Sequence, residues 1–279
     1  MCLMAWALGQ DPAAPLWVAA NRDEQWDRPT LPLHAWTLPQ GGTVWSGRDA
    51  QAGGSWLAFG SAGRVAMLTN VRAWPPEPAQ DRSRGSLVTA WLSPEDLPTW
   101  AEFAHRHDPM AYNGCNVVLG DVLQGRWARL TNRDPGPALA DDPATERVGG
   151  WWARELPPGV YALSNAALDT PWPKLRRLKS ALDQALATPR VDAACCTLLE
   201  ALRTHVPSAD VGQHLESSPY VHLPERRYGT RSSLIARWDR AGTLTLTEWT
   251  YASPQGPAAA DCADQRRISI DWWGMPTSS

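Results

Sequence analysis

A cysteine at position 2, directly behind the initiator methionine, is the residue of this chain best placed to do chemistry. Methionine aminopeptidases remove Met1 when the next side chain is small, so the mature chain is expected to begin with a residue carrying both a thiol and a free α-amine. One residue then supplies nucleophile and base: a thiol of ordinary pKa about 8.5 beside an amine of about 7.7–8.0 can become a thiolate near neutral pH if nearby charges cooperate. Charges are at hand in Asn21-Arg22-Asp23-Glu24, which closes an apolar run. An acyl transfer to sulfur also needs donors for the oxyanion, commonly a backbone N–H with an asparagine side chain. Asn70, in AMLTNVRAWPP, and Asn165, in VYALSNAALDTPWPKLRRL, each follow an apolar run and precede a turn, a place asparagine also takes for ordinary turn chemistry.

The elements that must position these residues are legible in outline. Residues 2–8 and 16–20 are apolar runs separated by GQDPAAP, which reads as an N-terminal β-hairpin. If the strands pair antiparallel, the end of the second lies beside the start of the first, bringing Asp23 close to Cys2. Strands are expected at 43–48, 55–59 and 64–69 with glycine turns between them, a meander. Helices follow at 84–92, opening after Asp81 and Ser83, and at 94–107. Strands return at 115–123, 126–131 and 159–163, around a polar loop at 133–147. Leu175, Leu178, Leu182 and Leu186 share one face of a helix over 172–187 that begins after Asp169-Thr170-Pro171, and 191–205 is a second helix. Strands at 233–238, 243–251 and 267–272 close the chain, interrupted by SPQGPAAADCA. Sheets covered by helices, in an α+β layering, fit this order better than alternating βαβ units.

The 279 residues are expected to form a single domain over positions 1–279. A net charge of −3 with scattered Lys and Arg leaves no basic field for nucleic acid. No apolar stretch has the length of a membrane span, and the first residues lack a positive leader and a cleavage site, so the expected location is the cytoplasm. Five cysteines, at 2, 115, 195, 196 and 262, form no CxxC pair, and the six histidines have no metal spacing, so neither a disulfide framework nor a metal is expected. Seventeen tryptophans stand against two phenylalanines, which suits a core built on indole and an apolar cleft. The pairs Trp151-Trp152 and Trp272-Trp273 must each turn one ring away from the other.

The opening MC, the NRDE tetrapeptide, TNVR at 69–72, RGSLV at 84–88, YNGCN at 112–116, LSNAALDTPWPKL at 163–175 and YGTRSS at 228–233 resemble the NRDE family, also called the transport and Golgi organisation 2 family. The same positions resemble, more distantly, the choloylglycine hydrolase group of N-terminal nucleophile hydrolases, which includes bile salt hydrolase and penicillin V acylase. That resemblance implies a four-layer αββα sandwich with a processed N-terminal cysteine on a central strand. It implies Cys2 as nucleophile, Asp23 as contact of the N-terminal group, Asn70 and Asn165 as oxyanion donors, and Arg231 as an arginine near the thiol. The hydrolase group has a further arginine where this chain has Ala20, and Arg22 is expected to point to the opposite face and not to replace it. Asn21 and Arg22 are candidates for contact with substrate, and Arg22 with Glu24 for an ion pair.

The expected function is hydrolysis of a non-peptide, linear amide by Cys2, with no cofactor. The rival is a carrier of haem or another hydrophobic ligand on the same fold, since relatives in the family are linked to haem trafficking; no Cys-Pro haem motif occurs. The expected partner is a small amide or a hydrophobic ligand.

Overall fold

Unbroken apolar runs favour strands buried on both faces, and the two at the N-terminus become such a pair. The computed structural model describes residues 2–71, 78, 80, 82–134, 144–251 and 264–272. Met1, Arg72, Asp81, Cys262 and Trp273, the 253–263 interruption and most of the loop at 133–147 lie outside the described residues. In chain order the strands β1 (Cys2–Asp11), β2 (Ala14–Gln25), β3 (Thr30–Thr37), β4 (Thr43–Asp49), β5 (Leu57–Gly60) and β6 (Arg64–Asn70) precede the helices α1 (Gly85–Trp91) and α2 (Trp100–Arg106). Then come β7 (Cys115–Asp121), β8 (Arg126–Thr131), β9 (Thr145–Val148), β10 (Trp151–Glu155) and β11 (Gly159–Leu163). The last third holds α3 (Pro173–Leu186), α4 (Val191–Arg203), α5 (Val211–Ser217), β12 (His222–Leu223), β13 (Tyr228–Trp238), β14 (Thr243–Thr250) and β15 (Asp264–Asp271).

The chain divides into two compact units. The first comprises Met1–Arg28, Pro158–Ser164 and Leu168–Asp271, and its antiparallel sheet has the order β11-β1-β2-β13-β14-β15, with β12 on β13. Alternation along β1 puts Leu3, Ala5 and Ala7 on the face covered by α3 and α4, where they meet Leu175, Leu178, Leu182, Leu198 and Leu202. The alanines let the helices approach closely, and each buried leucine contributes about 1.5–3 kcal/mol. This packing fixes the start of α3 against β1 and β11.

The second unit comprises Pro29–Pro157, Asn165–Ala167 and Trp272–Ser279. Its antiparallel sheet, β3-β4-β5-β6-β7-β8-β10-β9, contains the expected meander. Leu87, Val88 and Trp91 of α1 and Phe103 and Ala104 of α2 pack on Val44, Ala58, Ala66, Val117, Leu119 and Trp151 of that sheet. Each unit thus supplies one sheet layer and one helical layer, the α+β composition that the order of elements predicts.

Several details differ from expectation, and the elements at 30–37, 211–217 and 222–223 were not expected. Residues 94–98 are not helical; Pro98 precedes the Thr99 capping box that starts α2. Helix α3 begins at Pro173, after Trp172 and not after Pro171. Residues 145–148 and 151–155, the first of these placed in a loop, form the β9–β10 hairpin. Of the Trp151-Trp152 pair, Trp151 is fully buried while Arg147 lies over the ring of Trp152 at 4.7 Å. No helix among the described residues is long and apolar enough to cross a membrane.

Candidate active site

The hairpin register sets Cys2 opposite Arg22, Leu3 opposite Asn21 and Met4 opposite Ala20. Residues facing each other across a ladder share a face, and residues two apart do as well. Cys2, Ala20, Arg22 and Glu24 therefore lie on one face of the sheet, and Asn21 and Asp23 on the other, under α3 and α4. The expectation that Arg22 points away from the face of Ala20 is overturned, because positions 20 and 22 are separated by one full pleat. The buried Arg22 guanidinium is the one set across from the thiol, and it reaches Glu24 at 3.8 Å.

Cys2 is buried, and its carbonyl accepts a hydrogen bond from Ser164 Oγ at 2.8 Å. Burial pushes the thiol above its ordinary pKa; the terminal ammonium and Arg22 pull it down, while Asp23 and Glu24 add to the rise. Asp23 is 1 % exposed, and its Oδ1 accepts from Thr230 Oγ1 at 2.7 Å. Burial raises its carboxyl too, opposed by the terminal ammonium, Lys174 and the Thr230 hydrogen bond.

Asn21 is absorbed by the fold. Its Nδ2 donates to the carbonyls of Leu202 at 2.8 Å and Pro219 at 2.9 Å, and its Oδ1 accepts from Ser233 Oγ at 2.6 Å. Arg231 is the extra residue of a bulge, between the Thr230↔Asp23 and Ser232↔Arg22 pairs. Bulges re-aim side chains. Here Arg231 Nη1 donates to the carbonyls of Gln25 at 2.9 Å and Trp26 at 2.7 Å, anchoring the chain where it leaves β2.

Asn70 and Asn165 belong to the second unit, where Asn165 Nδ2 donates to the Asn70 carbonyl at 2.8 Å. The buried Asn116, within the YNGCN segment, holds the same loop by donating from Nδ2 to the Ala166 carbonyl at 2.9 Å.

Three residues escaped the sequence reading: Ser164, Asn116 and Lys174. Lys174 is completely buried at the second position of α3. A signal existed for it, since a cation in the first turn of a helix opposes the macrodipole and calls for an acidic partner elsewhere. The other described cysteines are poor nucleophiles or simply exposed: burial holds the Cys115 thiol up at about 12 and raises that of Cys195, whereas Cys196 is exposed. Among the described residues, no group of three or more His, Cys, Asp or Glu is arranged to hold a metal ion.

Solved structures similar to this chain include the C2A mutant of conjugated bile acid hydrolase from Clostridium perfringens. It is 9% identical, with a TM-score of 0.48 over 100% of this chain and 94% of that one. A Caenorhabditis elegans N-acylethanolamine-hydrolyzing acid amidase ortholog is 10% identical, with a TM-score of 0.45 over 84% of this chain and 92% of the other. Among curated proteins, the mouse transport and Golgi organization 2 homolog is 30% identical over 275 residues, covering 89% of this chain and 92% of its own length. The human homolog is 29% identical with the same coverage. The family model described as "Transport and Golgi organisation 2" matches residues 1–253, and the chain therefore belongs to that family.

Proposed function

We propose that the protein is a hydrolase of a non-peptide amide, with Cys2 of the processed chain as its nucleophile. The pairing of Cys2 with Arg22 at the mouth of β1 and β2 carries this reading: it sets a thiol at the chain terminus against a buried guanidinium. In this reaction the α-amine takes the thiol proton, sulfur attacks the amide carbonyl, the amine product leaves, and water releases the acyl group and frees the thiol. Arg22 favours the thiolate against the burial that disfavours it. The oxyanion roles of Asn70 and Asn165 rest on the family resemblance.

The first test is intact mass of the purified protein before and after a thiol-directed electrophile. Because Cys196 is exposed, the adduct has to be mapped. Loss of Met1 with a fast adduct at Cys2, followed by amide turnover that Cys2→Ala abolishes without changing the fold, is the expected result. Retained Met1, an inert Cys2, or turnover that survives Cys2→Ala overturns the mechanism. Carriage of a hydrophobic ligand such as haem then becomes the reading to pursue, by titration and appearance of a Soret band.

A further inference from the structure

Helix α1 and the β3–β4 hairpin of the second unit border a cavity of about 470 Å³, a size that takes a small organic ligand. The loop after β4 fixes one wall of it. Asp49 Oδ1 accepts from the backbone N–H groups of Gln51 and Ala52 at 3.0 Å each, which closes the loop. Gly54 is then pressed against the start of α1, where a Cβ would stand 2.6 Å from the Gly85 carbonyl carbon. Only glycine allows this approach.

Among the described residues that line the cavity, the side chains carrying full charge are Arg48 and Arg82. The Arg48 guanidinium lies 4.4 Å from the centroid of the Trp36 ring, and its Nε donates to the Gly53 carbonyl at 3.1 Å. These contacts hold the fork in place, and its two Nη atoms have no hydrogen-bond partner among the described residues. Arg82 is exposed, and its backbone N–H donates to the Ala111 carbonyl at 3.4 Å, beside Tyr112. Tyr112 is 2 % exposed, with its ring 6.4 Å from that of Trp151. Its hydroxyl has no partner among the described residues, so the cavity it lines is where that O–H can be satisfied. His107 also lines the space. Its Nδ1 donates to the Phe103 carbonyl at 2.8 Å, and burial, with Arg82 and Arg106 nearby, holds its ring below the ordinary pKa, so it adds no charge at neutral pH. Leu38 and Ala90 supply an apolar wall. Two guanidinium groups on one cavity favour an anion between them, and their planar forks match the oxygens of carboxylate and phosphate.

We propose that this cavity binds a small organic dianion, its oxygens held by Arg48, Arg82 and the Tyr112 O–H and its carbon body seated against Leu38 and Ala90. A phosphate monoester and a dicarboxylate share this chemistry. Every residue invoked belongs to the second unit, so the proposal is independent of the reading of Cys2 as a nucleophile.

Phenyl phosphate and isophthalate place their charge on one phosphoryl group and on two carboxylates respectively, and each is titrated into the full 15N-labelled chain at low salt. Saturable shifts of the Arg48 and Arg82 Nε–H signals are expected with at least one of them. A response to phenyl phosphate alone assigns a phosphate monoester, and a response to isophthalate alone a dicarboxylate. Arg82→Gln, which changes an exposed side chain, and Tyr112→Phe are each expected to weaken binding by about tenfold or more while keeping the wild-type melting temperature. No saturable shift with either dianion, equal binding of neutral benzyl alcohol, or unchanged affinity in either variant overturns the proposal.

Discussion

Asn21 has both amide protons and its carbonyl oxygen engaged inside the fold, tying β2 to the end of α4, to the Pro219 turn and to β13. Replacement by leucine of similar size strips two buried carbonyls and one hydroxyl of this partner, and each unmet buried group costs about 1–3 kcal/mol. Asn21→Leu is therefore expected to destabilise by about 3 kcal/mol or more, read as a lower urea midpoint at unchanged slope. An unchanged midpoint removes the structural role and returns Asn21 to the candidates for substrate contact. At this scale the sequence was informative where a residue's place follows from strand spacing, as for Cys2 and Asp23. It was less so where burial decides. Lys174 precedes Leu175 on a helix whose basic residues otherwise read as a solvated face, and only the packing of α3 on β1 turns it inward. The role of Arg22 depended on pleat parity, which the register gives directly.

Strands and helices with strong periodicity were legible in the sequence, and those resting on turn chemistry were not. Strand β3 contains Pro32 and a register shift between Leu31 and His34, so its alternation is broken, as expected of an edge strand. The β9–β10 hairpin turns on Gly149 and Gly150, both at positive φ (55° and 85°), the backbone that a two-residue hairpin turn of this kind demands. That signal stood in RVGGWW beside an unstructured-looking loop. Gly149 carries a second constraint: a Cβ there would sit 2.4 Å from the Ala104 carbonyl oxygen of α2. Gly125, in the β7–β8 turn, has φ 63° and open space around it. Alanine at Gly125 meets only the left-handed backbone penalty, about 1–2 kcal/mol, whereas alanine at Gly149 adds displacement of helix backbone. Gly149→Ala is expected to lower the melting temperature more than Gly125→Ala, by several degrees given about 2–4 °C per kcal/mol in a domain of this size class. Equal losses in the two variants leave the close approach to α2 without energetic weight.

Over the whole molecule, the balance of buried titratable groups sets the response to acid. Burial holds His107, His214 and His222 below the ordinary histidine pKa. Unfolded histidines take up a proton near pH 6.5 while these remain neutral in the native state, so the unfolded chain binds more protons as pH falls. Their contribution to stability is complete above about pH 6.5 and is lost as pH falls through that value. Asp23 acts in the opposite sense: its carboxyl is raised, so its contribution is fullest in acid and is lost as pH rises through its native pKa. The three histidines together are expected to make the melting temperature fall between pH 7.5 and 5.5, against the opposite slope of Asp23. His107 is in one compact unit and His214 and His222 in the other, so the fall occurs whichever unit melts first. His214 is the sharpest probe, because protonation of Nε2 removes the acceptor of the His222 N–H. His214→Gln keeps a donor and an acceptor but no titration in this range, and is expected to flatten the profile while lowering its plateau. A wild-type melting temperature independent of pH over this interval, or an unaltered slope in His214→Gln, is the result that contradicts this assignment.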